Sequence, residues 1–266
     1  MEIIVADDYR DMCEAAADIV YDVIASAPGA CMGCGSEEDL YGVYASLTEM
    51  CAGGDLDFSR VAAFGLDEFE GLGPDSPDAK AAFLADSFFR ETNLRPDNTY
   101  LFNGSNMDES LVCDAMETSI MLNGNFDVVL MTVGASGRLA MNEPAGEFSK
   151  ECCRCVLDPA TRKEYASAFD GEEFVPEAAY TAGIGTLMQA KKVVLAVSGA
   201  EKAQVVRDAF FGPITPACPA SILQFHPNAV AVVDPEAFSL CEGVAQSQSC
   251  CGDHDHDHEH GCGCGH

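Results

Sequence analysis

Arg60-Val-Ala-Ala-Phe-Gly-Leu66, followed at once by Asp67-Glu68, is the stretch whose reading decides the fold. An apolar run without alternation suits a strand buried on both faces, and such strands belong to parallel sheets covered by helices on each side. The run ends in two carboxylates, so acids stand just past a strand's carboxyl end, where open α/β sheets bind ligands.

Working outward, the same grammar repeats. Upstream, Met12, Ala16, Ile19, Val20, Val23 and Ile24 recur at helical spacing until Pro28-Gly29, and Ala30-Cys-Met-Gly-Cys34 forms a short strand. Residues 37–51 read as a helix stopped by Gly53-Gly54. Downstream come a helix over 77–90, a strand over 100–102, a helix over 110–122 and the strand Phe126-Asp-Val-Val-Leu-Met-Thr-Val133. A strand near 152–157, helices over 160–169 and 177–190, the strand Lys192-Val-Val-Leu-Ala-Val-Ser198, a helix from Ala200 and the strand Ala229-Val-Ala-Val-Val233 complete the series. This alternation predicts one α/β domain over residues 1–240: an open, doubly wound, mostly parallel, Rossmann-like sheet with helices on both faces.

Bulk composition narrows the function. A net charge of −30 with only 14 Lys and Arg would repel a nucleic-acid backbone, so nucleic acid is not an expected partner. Neutral or cationic ligands and metal ions are compatible with that field, whereas an anionic substrate needs a local cluster of donors. The start, Met1-Glu-Ile-Ile-Val-Ala-Asp-Asp8, has neither the basic nor the apolar region of a signal peptide, and no apolar run reaches membrane-spanning length. The expectation is a cytoplasmic chain with no membrane partner. In that setting 14 Cys read as small buried hydrophobes or metal ligands before disulfides.

Apolar periodicity stops near Cys241. Residues 241–249 read as a linker, and 250–266 as a disordered tail carrying Cys250, Cys251, His254, His256, His258, His260, Cys262, Cys264 and His266 among Asp and Gly. Thiolates and imidazoles suit Zn or Ni, and the glycines let neighbouring ligands close round one ion. Two further pairings, Cys31/Cys34 and Cys152-Cys-Arg-Cys155, have metal-ligand spacing, but strand cysteines are more often core residues.

Three segments carry a family resemblance: Val61-Ala-Ala-Phe-Gly-Leu-Asp-Glu-Phe-Glu-Gly-Leu72, Gly134-Ala-Ser-Gly-Arg-Leu-Ala-Met-Asn-Glu-Pro144 and Val197-Ser-Gly-Ala-Glu-Lys202. With Ala182-Gly-Ile-Gly-Thr-Leu187 and Leu223-Gln-Phe-His-Pro227, they make the chain resemble the glucosamine-6-phosphate deaminase (glucosamine/galactosamine-6-phosphate isomerase) family over about residues 1–240. The resemblance implies an open α/β sandwich that converts an amino-sugar phosphate into a ketose phosphate plus ammonia, without a cofactor in the body, and often as a homo-oligomer. It makes Asp67 the carboxylate that moves a proton between C2 and C1, Glu143 the support of a ring-opening histidine, and Lys202 a phosphate ligand. Ser36, Gly134 and Gly137 fall in its substrate-binding loops.

The departures are chemical. Where the family has Asp-Gly-His, this chain has Ser136-Gly-Arg138, and a guanidinium cannot accept a proton from a sugar hydroxyl. Where the family has Thr-Gly-Gly-Thr, it has Ser36-Glu-Glu-Asp39, which brings charge and bulk to a loop suited to phosphate. A family arginine near the phosphate aligns at about Ser167. His226, before Pro227, reads as structural. The expectation is a deaminase-family protein with impaired or altered turnover, a pseudoenzyme at the extreme; the alternative is a non-catalytic metal-handling protein that uses the tail.

Overall fold

The computed structural model describes residues 1–241 of the protein. Among the described residues ten strands run in chain order: β1 (Glu2–Val5), β2 (Cys31–Cys34), β3 (Ala62–Gly65), β4 (Asp67–Phe69), β5 (Thr99–Tyr100), β6 (Val128–Met131), β7 (Cys153–Val156), β8 (Ala178–Thr181), β9 (Val193–Val197) and β10 (Ala229–Val233). Seven form a wholly parallel sheet in the order β1-β10-β9-β6-β2-β3-β5. Its helices are α1 (Tyr9–Ser26), α2 (Tyr41–Gly53), α3 (Lys80–Leu84), α4 (Glu109–Leu122), α5 (Pro159–Tyr165), α6 (Ile184–Leu187), α7 (Ala203–Phe211) and α8 (Pro235–Phe238). The expected doubly wound sheet is what the chain forms.

Both faces are covered, which explains the unbroken apolar runs. Val128 and Leu130 pack with Met12, Val20, Tyr44 and Leu47 of α1 and α2, while Val129 and Met131 pack with Val112 and Met116 of α4 and Val206 of α7. Burying each such side chain is worth about 1.5–3 kcal/mol. Local signals set the helix ends: the Asp8 side chain accepts from the Asp11 amide at the start of α1, and Gly54 closes α2 in the left-handed region at φ 81°.

One expected helix is corrected. Residues 177–190 hold β8 and the short α6, and β8 lies between β4 and β7 in a separate antiparallel sheet of three strands. Tyr180 and Thr181 favour a strand, and the chain at Gly183 and Gly185 lies so close to 150–151 that a Cβ would come within 2.0 Å of the Glu151 oxygen and 2.3 Å of the Lys150 oxygen. A helix bearing side chains cannot run through that contact. The β1 strand and this second sheet are absent from the sequence reading, which also places Cys241 in the linker; its side chain is buried in the core. The rest of the linker and the proposed metal ligands of 250–266 lie outside the described residues.

The winding direction reverses between β2 and β6: the chain continues from β2 to β3 and β5 on one side, and from β6 to β9 and β10 on the other. The loops leaving these two strands, 35–39 and 132–138, therefore part at a crevice, the usual ligand position in such sheets. No helix among the described residues is long and apolar enough to cross a membrane.

Candidate active site

Three strand ends supply the crevice. The loop after β2 brings Ser36, Glu37 and Asp39; the residue after Leu66 is Asp67; the loop after β6 brings Arg138. Asp67 is 3% exposed and accepts a hydrogen bond from the Ser36 hydroxyl at 2.6 Å. Burial, only partly countered by Lys80, raises its pKa above the ordinary carboxylate value. Its neighbour Glu68 points elsewhere, accepting from the Lys80 and Ala81 amides at 3.0 and 2.9 Å and so capping α3. Of the acidic pair, one residue holds a helix and the other faces the crevice.

A group that sequence reasoning missed sits at the centre. Lys80, 3% exposed, has its ammonium 3.2 Å from Glu37, 3.7 Å from Asp67 and 3.1 Å from the Tyr165 hydroxyl, and lies over the rings of Phe69 and Tyr165 at 5.2 and 4.9 Å. A lone lysine in the first turn of an amphipathic helix carries no sequence signal, so only the fold reveals it. Burial alone would lower its pKa, but Asp67 and Glu37 outweigh that and raise it, keeping the ammonium charged.

Arg138 is the other buried cation, at 4% exposure. It donates to Glu164 at 2.9 Å, to the Tyr165 hydroxyl at 3.2 Å and to the Ala140 carbonyl at 3.3 Å, with Glu37 3.5 Å away. Its Nε has no hydrogen-bond partner among the described residues. Gly134 and Gly137, expected as substrate contacts, build the turn that aims this side chain: Gly137 takes φ 86°, its amide donates to the Gly134 carbonyl at 2.8 Å, and a Cβ on Gly134 would lie 2.4 Å from the Arg138 stem. Glu37 joins the two cations. Burial would raise its carboxyl, yet Lys80, Arg138 and the Tyr165 hydroxyl, which donates to it at 2.6 Å, bring it down to about 2.

Lys202 lies on the connection after β9, where its ammonium donates to the Val133 carbonyl at 2.8 Å and pairs with Asp39 at 3.2 Å. The loop after β2 thus sets an acid against each of the three cations around the crevice, Glu37 against Lys80 and Arg138 and Asp39 against Lys202, with Asp67 and Glu164 adding to the first two. Glu143 is half-buried, accepting from the Ser136 hydroxyl at 3.4 Å and the Asp158 amide at 3.3 Å, and burial raises its pKa. Beside the ion network lies a cavity of about 550 Å³, lined among others by Ser36, Tyr41, Lys80, Tyr165, Ser167 and Phe169.

His226 is remote from all this. It is 1% exposed, its Nε2 meets the Ala190 carbonyl at 2.9 Å and its Nδ1 accepts from the Asn228 amide at 3.1 Å, before the amino ends of β9 and β10. Among the described residues it is the one imidazole, and it stands at the wrong edge of the sheet. Cys31 and Cys34 do not join Cys152–Cys155: residues three apart on β2 face opposite sides, and no group of three potential metal ligands exists among the described residues.

Comparison with known proteins agrees with this architecture. Residues 38–232 match the family described as glucosamine-6-phosphate isomerases/6-phosphogluconolactonase. The chain is 36% identical to a glucosamine-6-phosphate deaminase of Pseudarthrobacter chlorophenolicus over 90% of its own length and 92% of the relative's. It is 33% identical to glucosamine-6-phosphate deaminase 2 of Bacillus subtilis over 89% and 96%. A solved structure of a monomeric glucosamine-6-phosphate deaminase superposes with a TM-score of 0.87 at 30% identity, covering 90% of this chain and 100% of that one. The 6-phosphogluconolactonase of Trypanosoma brucei, at 19% identity and a TM-score of 0.71 over 90% and 98%, shares the fold.

Proposed function

The chain belongs to the glucosamine-6-phosphate isomerase/6-phosphogluconolactonase family, and on that premise we propose that it is a deaminase-type member whose turnover of glucosamine 6-phosphate is strongly reduced. Asp67 remains the proton carrier between C2 and C1 of an open-chain amino-sugar phosphate. It is buried at a strand end, hydrogen-bonded to Ser36 and shifted toward neutrality, which suits a general base. Ring opening is the step it lacks help with.

The observation that carries the reading is Arg138, a permanently charged group buried between Glu164 and Glu37 at the turn after β6. By the resemblance, an imidazole would stand there to relay a proton from the sugar ring. The pairing of Lys202 with Asp39 and of Lys80 with Glu37 adds a second obstacle, since a substrate phosphate must displace a carboxylate from each cation it meets.

Ammonia and ketose phosphate release from glucosamine 6-phosphate tests this. Slow turnover is expected for the natural chain, with a further fall of about 10²–10⁴-fold in Asp67→Asn, the usual worth of a general base. Equal rates for the two would remove the enzyme reading; a rate matching the deaminase relatives would remove the impairment.

Metal handling by 250–266 rests on composition alone and is a separate proposal. Equilibrium dialysis with Zn and Ni on chains with and without those residues tests it, and equal stoichiometry ends it. The homo-oligomer expected from the resemblance is checked by sedimentation.

A further inference from the structure

Among the described residues the β7 strand is an edge of the small sheet, hydrogen-bonded to β8 alone. Residues two apart on a strand share a face, so Cys153 and Cys155 stand side by side with their sulfurs 3.7 Å apart. Arg154 between them turns away and grips Glu70 with two bonds of 2.6 Å. Both thiols are half-buried, whereas Cys31, Cys34, Cys113 and Cys152 are buried.

From this arrangement we propose that Cys153 and Cys155 are a modification site, a reactive dithiol that a two-electron oxidant of the peroxide class closes into an intramolecular disulfide. The thiolate is the attacking form, and a hydrogen bond from Cys155 holds the Cys153 thiol below its ordinary pKa. Burial instead pushes the Cys31 and Cys113 thiols up to about 12. Cys153 is the nucleophile and Cys155 the resolving thiol.

The Cys153 thiolate attacks one peroxide oxygen; the O–O bond breaks and the departing hydroxide takes up the proton lost from the thiol, leaving as water. Cys153 is then a sulfenic acid. The Cys155 sulfur attacks it, the S–S bond forms, the S–O bond breaks, and hydroxide leaves with the Cys155 proton as a second water. Two thiols are oxidised and one peroxide is reduced.

Closure brings the sulfurs to about 2.05 Å, with Cα atoms normally about 4.4–6.8 Å apart. Two steps of an extended strand span roughly 6.4–6.8 Å, at the upper limit of that range. The strand must shorten slightly, which an edge bonded on one side allows, and the resulting bond is readily reduced. Cys155 also lines a small cavity with Asn142, Glu143 and Ser149, so closure strains the wall behind Glu143.

Arg154 provides the assay. The full chain is treated with one equivalent of hydrogen peroxide, blocked with an alkylating reagent, unfolded, and cut by trypsin without reductant. The fragment ending at Arg154 and the fragment beginning at Cys155 are expected to remain joined until dithiothreitol is added, and to form about tenfold faster than any product at Cys34. Cys153→Ser and Cys155→Ser each abolish the link. Phenylarsine oxide, which bridges neighbouring thiols with loss of water, is expected to protect both from alkylation in the natural chain and the remaining one in neither variant. Joining of Cys153 to another cysteine, overoxidation without a link, or no protection by the arsenical overturns the proposal.

Discussion

The two edges of the parallel sheet are built from similar residues and do opposite things with them. At the amino edge, Asp127 accepts from the Cys31 amide at 2.8 Å and pairs with the exposed Lys191 at 2.6 Å, while both ring nitrogens of His226 are taken up by backbone. Asp127 and His226 there are each held by main-chain partners, and the ion pair, to Lys191, is exposed. At the carboxyl edge, Glu37, Lys80, Arg138 and Tyr165 are answered chiefly by one another, and Asp67 by Ser36 and Lys80. Such side-chain networks are exposed to competition from a ligand in a way that backbone-satisfied groups are not. That contrast, more than burial, separates the site from the scaffold.

The largest effect expected from the comparison is kinetic. Asp67→Asn is expected to lower turnover by about 10²–10⁴-fold, whereas His226→Phe at the opposite edge leaves it unchanged; a loss of activity in His226→Phe with the fold intact would break the distinction. Next comes ligand affinity. Glu37→Gln combined with Asp39→Asn frees cations at the crevice, and one recovered charge-assisted hydrogen bond of about 1.5–3 kcal/mol corresponds to roughly 10–100-fold tighter binding of glucosamine 6-phosphate. Calorimetry reads this directly, and unaltered affinity would mean that the loop acids do not compete with phosphate.

Stability effects are smaller. Removing the ring nitrogens in His226→Phe leaves the Ala190 carbonyl unpaired and costs about 1–3 kcal/mol, read as a lower midpoint in thermal or denaturant unfolding. The pH dependence has a definite sign. Glu37 falls from an ordinary carboxylate value to about 2 in the folded chain, so its contribution is complete above the unfolded pKa and is lost as pH drops toward 2. Asp67, whose pKa is raised, acts oppositely and subtracts stability as pH climbs through the carboxylate range. Urea titrations of the natural chain and Glu37→Gln between about pH 5 and pH 2 are expected to converge at the acid end; parallel curves would show that Glu37 is not held by its cations.

Much of the architecture was legible because parallel strands buried on both faces must be written as apolar runs, as in 60–66, 126–133 and 192–198. The small sheet was not: Ala178-Ala-Tyr-Thr181 is too short and alanine-rich to distinguish strand from helix until Gly183 and Gly185 are seen against 150–151. Asp67 and Arg138 were visible from their place after apolar strands and from the resemblance. Lys80 and Tyr165 were hidden because their meaning lies in contacts with Glu37 across 43 and 128 positions of chain. The acids at 37 and 39 read equally well as the start of a helix, and only the positions of Lys80, Arg138 and Lys202 show what they neutralise.

Side-by-side progress curves for glucosamine 6-phosphate with the natural chain and Arg138→His decide whether the guanidinium at this turn limits the reaction. The imidazole variant is expected to be faster by at least about tenfold, a modest share of what a positioned proton carrier supplies, with an acid limb near the ordinary histidine pKa of about 6.5. A natural chain as fast as or faster than the variant would contradict that limit.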